Sequence, residues 1–226
     1  NSPILMLLLG WKKWPRMIAI QGIMRFPINL RPLLLTPKVY NPKGLALFAQ
    51  GLMTLYQTTG KVKYLDEAIE LLNTLKGINS PGTWHGIAWG YGYPWQDPGF
   101  FAPTSTPNAV VTSFVCEAFL DAYRITGDDQ YLEVVGDAIN FFLNDLTELK
   151  NTDDELCLGY MPVPMSMRVM DVSILIGSVI SQYATLKKDQ ELRNIARRLV
   201  NYIFLSLLFP LYCRPLIKRN YSYIIT

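Results

Sequence analysis

A ten-residue signature recurs along this chain of 226 residues, and a fixed period constrains architecture more than any single residue does. Tyr56-Gln-Thr-Thr-Gly60-Lys-Val-Lys-Tyr64-Leu65 returns 67 residues later as Tyr123-Arg-Ile-Thr-Gly127-Asp-Asp-Gln-Tyr131-Leu132. A worn copy, Tyr183-Ala-Thr-Leu-Lys187-Lys-Asp-Gln-Glu191-Leu192, follows after another 60. Apolar residues at three- and four-residue spacing lead up to each Tyr, and Gly60 and Gly127 suit the left-handed residue that ends a helix. Asp128 is placed to cap the helix that follows. Tyr64, Leu65, Ala68, Leu72 and Leu75, and likewise Tyr131, Leu132, Val135, Ile139 and Phe142, give each second helix one apolar stripe. Each copy therefore reads as an antiparallel helical hairpin.

The hairpins are expected at about 41–76, 107–147 and 169–205, with a further helix near 3–25. Gly51, Ala118 and Ser178 are equivalent positions, and a small residue at one depth suits helices that approach closely in a stack or ring. Pro42 and Pro107 are placed at helix starts, where a missing N–H does no harm. Tyr56, Tyr123 and Tyr183 read as core, and Asn41 and Asn108 as caps or ligand contacts. No strand-type alternation of useful length is visible, so the fold class is all-α. Residues 1–205 form the expected domain, and 206–226 an atypical C-terminal tail.

Composition removes several alternatives. Charged residues make up only 17% of the chain, against about 25% in an average domain, without the polarity of a disordered one. The net charge is +3, and residues 199–226 supply it through Arg214, Lys218 and Arg219, so residues 1–198 balance and nucleic acid is not an expected partner. Cys116, Cys157 and Cys213 fit neither a disulfide framework nor a zinc site, which suits a reducing cytoplasm. The apolar run at the start is too short to span a membrane, and Leu199 to Cys213 is broken by Asn201 and Pro210. No phosphate loop, nucleophile elbow or metal spacing occurs, and no cofactor is expected.

The connection 77–106 is much longer than the few residues usual between packed helices, and long ordered loops on a helical scaffold tend to carry function. It holds seven aromatic residues between Trp84 and Phe101, interleaved with Gly, and the only histidine, His85. Flat rings stack on the apolar faces of sugars, and Trp N–H, Tyr O–H, Gln and Asp groups bond their hydroxyls. Trp84, Trp89, Tyr91, Trp95, Gln96 and Asn108 are the expected substrate contacts. Asp97 is the first candidate acid or base, with His85, Tyr93 and Asp171 beside it. Glu117 lies among apolar neighbours and is a weaker second carboxylate, because it aligns with Gln50 and Gly177. Asp97-Pro98-Gly99 also reads as a simple turn.

The hairpin signature, with Trp89-Gly-Tyr-Gly-Tyr-Pro-Trp-Gln96 and Thr106-Pro107-Asn108, resembles the α/α-toroid proteins of the six-hairpin glycosidase-like superfamily over roughly residues 25–205. It is most similar there to prokaryotic proteins found with surface-polysaccharide synthesis. The resemblance implies a ring of inner and outer helices with a carbohydrate cleft at one end. It implies a glycoside hydrolase, lyase or epimerase acting on an oligosaccharide, polysaccharide, uronic acid or sugar nucleotide. A non-catalytic glycan-binding or assembly protein with the same fold is the alternative. Met170-Asp171 stands where a His-Asn pair is expected, and only three clear hairpins are present, so an incomplete toroid of three to four hairpins is expected. The opening Asn1 and the sequence after Phe204 suggest a piece of a longer or frame-shifted chain, with exposed hairpin faces that favour self-association.

Overall fold

A computed structural model describes residues 2–9, 12–96, 100–163 and 168–212, the last stretch with side chains to residue 206. Three hairpins dominate: α3 (Pro42–Thr59) with α4 (Val62–Gly77), α5 (Ala109–Thr126) with α6 (Asp129–Asn144), and α7 (Met170–Lys187) with α8 (Gln190–Tyr212). The first helices pack side by side, α3 on α5 and α5 on α7, while each second helix packs mainly on its own partner. That is an inner row backed by an outer row, and its inner helices share one direction.

The helix stops follow the signature. Gly60 (φ 69°) and Gly127 (φ 71°) take the left-handed conformation at the ends of α3 and α5, and each N–H bonds the carbonyl of its signature Tyr. In the worn copy the left-handed residue is Lys188 (φ 57°), one position later and without glycine's tolerance. Asp128 caps α6 by accepting from the Gln130 N–H, and Asp189 caps α8 by accepting from Glu191 and Leu192. Asn41 and Asn108 cap α3 and α5, with Oδ1 accepting from Gly44 and Val111.

The middle hairpin is the most enclosed. Val115, Ala118, Phe119 and Ala122 of α5, Leu132, Val135 and Phe142 of α6, and Val172, Ile176 and Val179 of α7 are all buried in one core. Each large side chain buried there contributes about 1.5–3 kcal/mol. Phe119 turns toward the outer row, with its ring 6.1 Å from that of Tyr131 on α6. Before its last turn, the positions of α5 that are not buried are Val110, Phe114, Glu117 and Asp121; with Arg124 they lie on the opposite face at helical spacing. This stripe is the inner surface of the row.

Several expectations change. The N-terminal helix is two helices, α1 (Pro3–Leu9) and α2 (Lys13–Arg25). Pro107 precedes the N-cap Asn108 instead of opening the helix. Two short antiparallel strand pairs are present, β1 (Trp95–Gln96) with β2 (Phe101–Ala102), and β3 (Glu148–Asn151) with β4 (Leu156–Leu158). They escaped detection because they are short and because Leu156, Cys157 and Leu158 are buried without alternation. A Cβ on Gly51 would meet nothing within 4 Å, whereas one on Gly177 would stand 3.3 Å from the side chains of Leu199 and Val200, so close approach is set at Gly177 and within a hairpin. α8 runs from Gln190 to Tyr212, seven residues beyond residue 205.

Candidate functional site

The first half of the 77–106 loop is fixed to the scaffold. Trp89 is completely buried, so it offers no face to a sugar. Its Nε1–H donates to the Leu75 carbonyl at 2.7 Å, its N–H donates to Thr112 Oγ1 at 3.0 Å, and its ring lies 6.1 Å from Phe119. Trp84 donates to the Pro81 carbonyl and sets its edge against Phe141. Two glycines serve close approach: a Cβ on Gly86 would stand 1.8 Å from the Asp137 carbonyl oxygen, and one on Gly90 1.9 Å from that of Thr106.

His85 belongs to the same anchorage. Its N–H donates to Asp145 Oδ2 at 2.9 Å, and its Nδ1 shares a 2.8 Å hydrogen bond with Asp145 Oδ1. Ile87 N–H donates to Asp137 Oδ2. These carboxylates belong to the outer helix α6 and the residue that ends it, so His85 is tied to the outer row and not to the other candidate residues.

The second half of the loop is a ring cluster at the N-terminal end of the inner helices. Tyr91 and Tyr93 stack at 5.2 Å, nearly parallel, and the Trp95 ring stands nearly perpendicular to those of Tyr91, Phe100 and Tyr160. Gln96 Nε2 donates to the Phe100 carbonyl at 2.9 Å. Burial pushes the phenol of Tyr91 above its ordinary range, with a further push from Tyr93, and burial raises Tyr93 likewise. Asn108 is 1% exposed and spends its Oδ1 on the helix cap. The cavity bounded by Tyr91, Tyr93, Trp95, Thr106 and Asn108 measures about 10 Å³, which is no larger than one water needs. Rings expected to form an open cleft pack on one another instead. Asp97 lies outside the described residues, and Asp171 stands exposed in the first turn of α7.

The inner surface supplies a polar row that the sequence marked only at Glu117. Gln50 on α3 donates to Asp121 Oδ2 at 2.9 Å, and Arg124 donates to Asp121 Oδ1 at 2.8 Å. Arg124 also bonds Gln182 on α7. Gln182 Nε2 donates to both oxygens of Glu117, at 2.7 and 2.9 Å, and Ser178 Oγ donates to Oε1 at 3.0 Å. Toward the loop end, Lys43 Nζ stands 3.9 Å from the centre of the Phe114 ring, a cation–π contact. Two acids one turn apart on the exposed stripe of an otherwise apolar helix were the readable sign of this row. Among the described residues, no group of three His, Cys, Asp or Glu is arranged to hold a metal ion.

No protein-family model matches this chain, and no curated protein matches it either. Solved structures do. A GH76 alpha-mannanase of Bacteroides thetaiotaomicron superposes with a TM-score of 0.54 at 18% identity, covering 73% of this chain and 45% of its own. An inactive variant of the alpha-1,6-mannanase GH76A of Salegentibacter sp. HEL1_6, in complex with alpha-1,6-mannotriose, superposes with a TM-score of 0.53 at 12% identity, covering 85% of this chain and 54% of its own. This chain thus spans about half the length of the structures it matches. The likeness shows the fold: an incomplete α/α toroid built of antiparallel helical hairpins.

Proposed function

We propose that this chain binds and processes carbohydrate on the inner surface of its toroid arc. The observation that carries this reading is the polar row from Gln50 through Asp121, Arg124 and Gln182 to Glu117 and Ser178, which crosses three successive inner helices. Such a row offers carboxylate, amide, guanidinium and hydroxyl groups side by side, the set that exchanges hydrogen bonds with vicinal sugar hydroxyls. The aromatic cluster at Tyr91, Tyr93 and Trp95 forms the rim at the loop end. The mannan-degrading activities of the structural neighbours make α-1,6-linked mannooligosaccharide the first ligand to test, with uronic acid oligomers second.

As a glycoside hydrolase, lyase or epimerase the chain would use Glu117 and Asp121, whose spacing of one helical turn falls within the roughly 5–10 Å over which glycosidase carboxylates cooperate. Asp97, Tyr93 and Asp171 remain proposed contributors from the loop end. A non-catalytic glycan-binding role is favoured by a specific observation: all four oxygens of Glu117 and Asp121 already accept hydrogen bonds from neighbouring side chains. Glu117→Gln separates the two. If turnover of mannooligosaccharide disappears while binding persists, the enzyme reading stands; if the native protein binds the sugar without turnover, the binding reading stands. If the native protein neither binds nor cleaves any oligosaccharide, the carbohydrate proposal falls.

A further inference from the structure

The balanced charge of residues 1–198 conceals a segregation. Residues 1–65 contain no Asp or Glu at all, Asp66 being the first acid, and Lys12, Lys13, Arg16, Arg25, Arg31 and Lys38 fall within the first forty. The same segment carries the densest exposed apolar surface among the described residues. Trp14, Ile18, Met24, Ile28, Leu33 and Leu35 are 64–74% exposed, and α2 has no buried residue along its thirteen positions. One face of α2, with Arg16, Ala19, Ile20 and Ile23, turns to a cavity of about 200 Å³ shared with Phe101. The opposite face lines an open groove with Trp14, Met17, Ile18 and Arg25.

We propose that residues 12–40 dock this protein on an anionic lipid bilayer surface. A helix of this length is marginal in water without a partner for its apolar side chains. The charge pattern selects the partner. The core of a protein–protein interface is depleted of charged residues, whereas here cations alternate with apolar residues and acids are missing. At a bilayer surface that mixture is favourable, because Trp, Ile, Met and Leu enter the headgroup boundary while Lys and Arg stems reach up to the phosphates. Arg16 adds an independent sign: its Nε is buried with no hydrogen-bond partner, and its guanidinium lies 4.4 Å from the Phe101 ring at the cavity that Arg31 also lines. Arg31, an exposed residue lining that cavity, can meet an anionic group such as a lipid phosphate. Docking does not require insertion of a span, and among the described residues no helix is long and apolar enough to cross a membrane.

The test is co-sedimentation of the full chain with phosphatidylcholine vesicles, with and without phosphatidylglycerol, at low and high salt. Binding is expected only to the anionic vesicles, falling as salt rises, and weaker by more than about tenfold in the exposed-site variant Lys12→Glu/Arg25→Glu/Lys38→Glu. Quenching of tryptophan fluorescence by brominated anionic lipid, measured in Trp11→Phe and lost when Trp14→Phe is added to it, reads the same contact without depending on the charge variant's folding. Equal binding to neutral vesicles, unquenched Trp14 on anionic vesicles, or burial of Trp14 in a lipid-free dimer would each overturn the proposal.

Discussion

Trp89 shows how one side chain can hold a long loop to a helical scaffold. Its ring is buried against Phe119, while its indole N–H and backbone N–H bond Leu75 and Thr112. Trp89→Ala should therefore cost about 3–5 kcal/mol, the range for deleting a buried aromatic side chain, and urea denaturation should show it as a lower midpoint whether or not sugar is present. A second prediction concerns serines. Ser113 and Ser173 occupy the same repeat position, ten residues before the signature Tyr, and both hydroxyls are buried without a hydrogen-bond partner. The first hairpin has Ala46 there, fully buried. Ser113→Ala and Ser173→Ala should each stabilise the fold by about 1 kcal/mol, since an unsatisfied buried hydroxyl is removed with little loss of volume; an unchanged or lowered melting temperature would contradict this.

At the scale of elements, the hairpins were legible because two periodic signals coincided: apolar spacing along each helix and the Tyr–Gly stop between helices. The third copy lacks the glycine, and its cost is visible in Lys188 held at φ 57°. Lys188→Gly is expected to raise stability by about 1 kcal/mol, relieving the crowding of a side chain in the left-handed region, as measured by thermal denaturation. The strands were not legible, because β1 and β2 are two residues each and β4 is wholly buried, so neither length nor alternation marked them. The role of Trp89 and the choice between cap and ligand contact at Asn108 were not legible for a related reason: a sequence rich in rings and hydrogen-bonding groups looks the same whether those groups face a ligand or a neighbouring helix. Only the placement of Leu75, Thr112 and Val111 decides between them. Asp121 went unseen because its importance lies in Gln50, 71 residues away along the chain.

Across the whole molecule, the arc leaves apolar surface at both sides. Phe48 is 72% exposed on α3, with Leu47 and Leu55 beside it, and Phe204 and Leu205 stand out on α8. Contiguous apolar surface of this kind favours association. Light scattering should give a mass that rises with concentration above 25.7 kDa, and Phe48→Lys should lower it, whereas a monodisperse monomer at all concentrations would refute the expectation. The central claim is that the inner-surface row binds sugar. Its most direct measurement is a calorimetric titration with alpha-1,6-mannotriose and uronic acid oligomers, run in parallel on the native protein and on Asp121→Asn and Tyr93→Ala. Saturable heat with at least one of these sugars, weakened about tenfold or more in Asp121→Asn as the loss of a charge-assisted hydrogen bond requires, is the predicted result. Heat that is unchanged in Asp121→Asn, or that disappears only in Tyr93→Ala, would move the site to the aromatic loop and contradict the account.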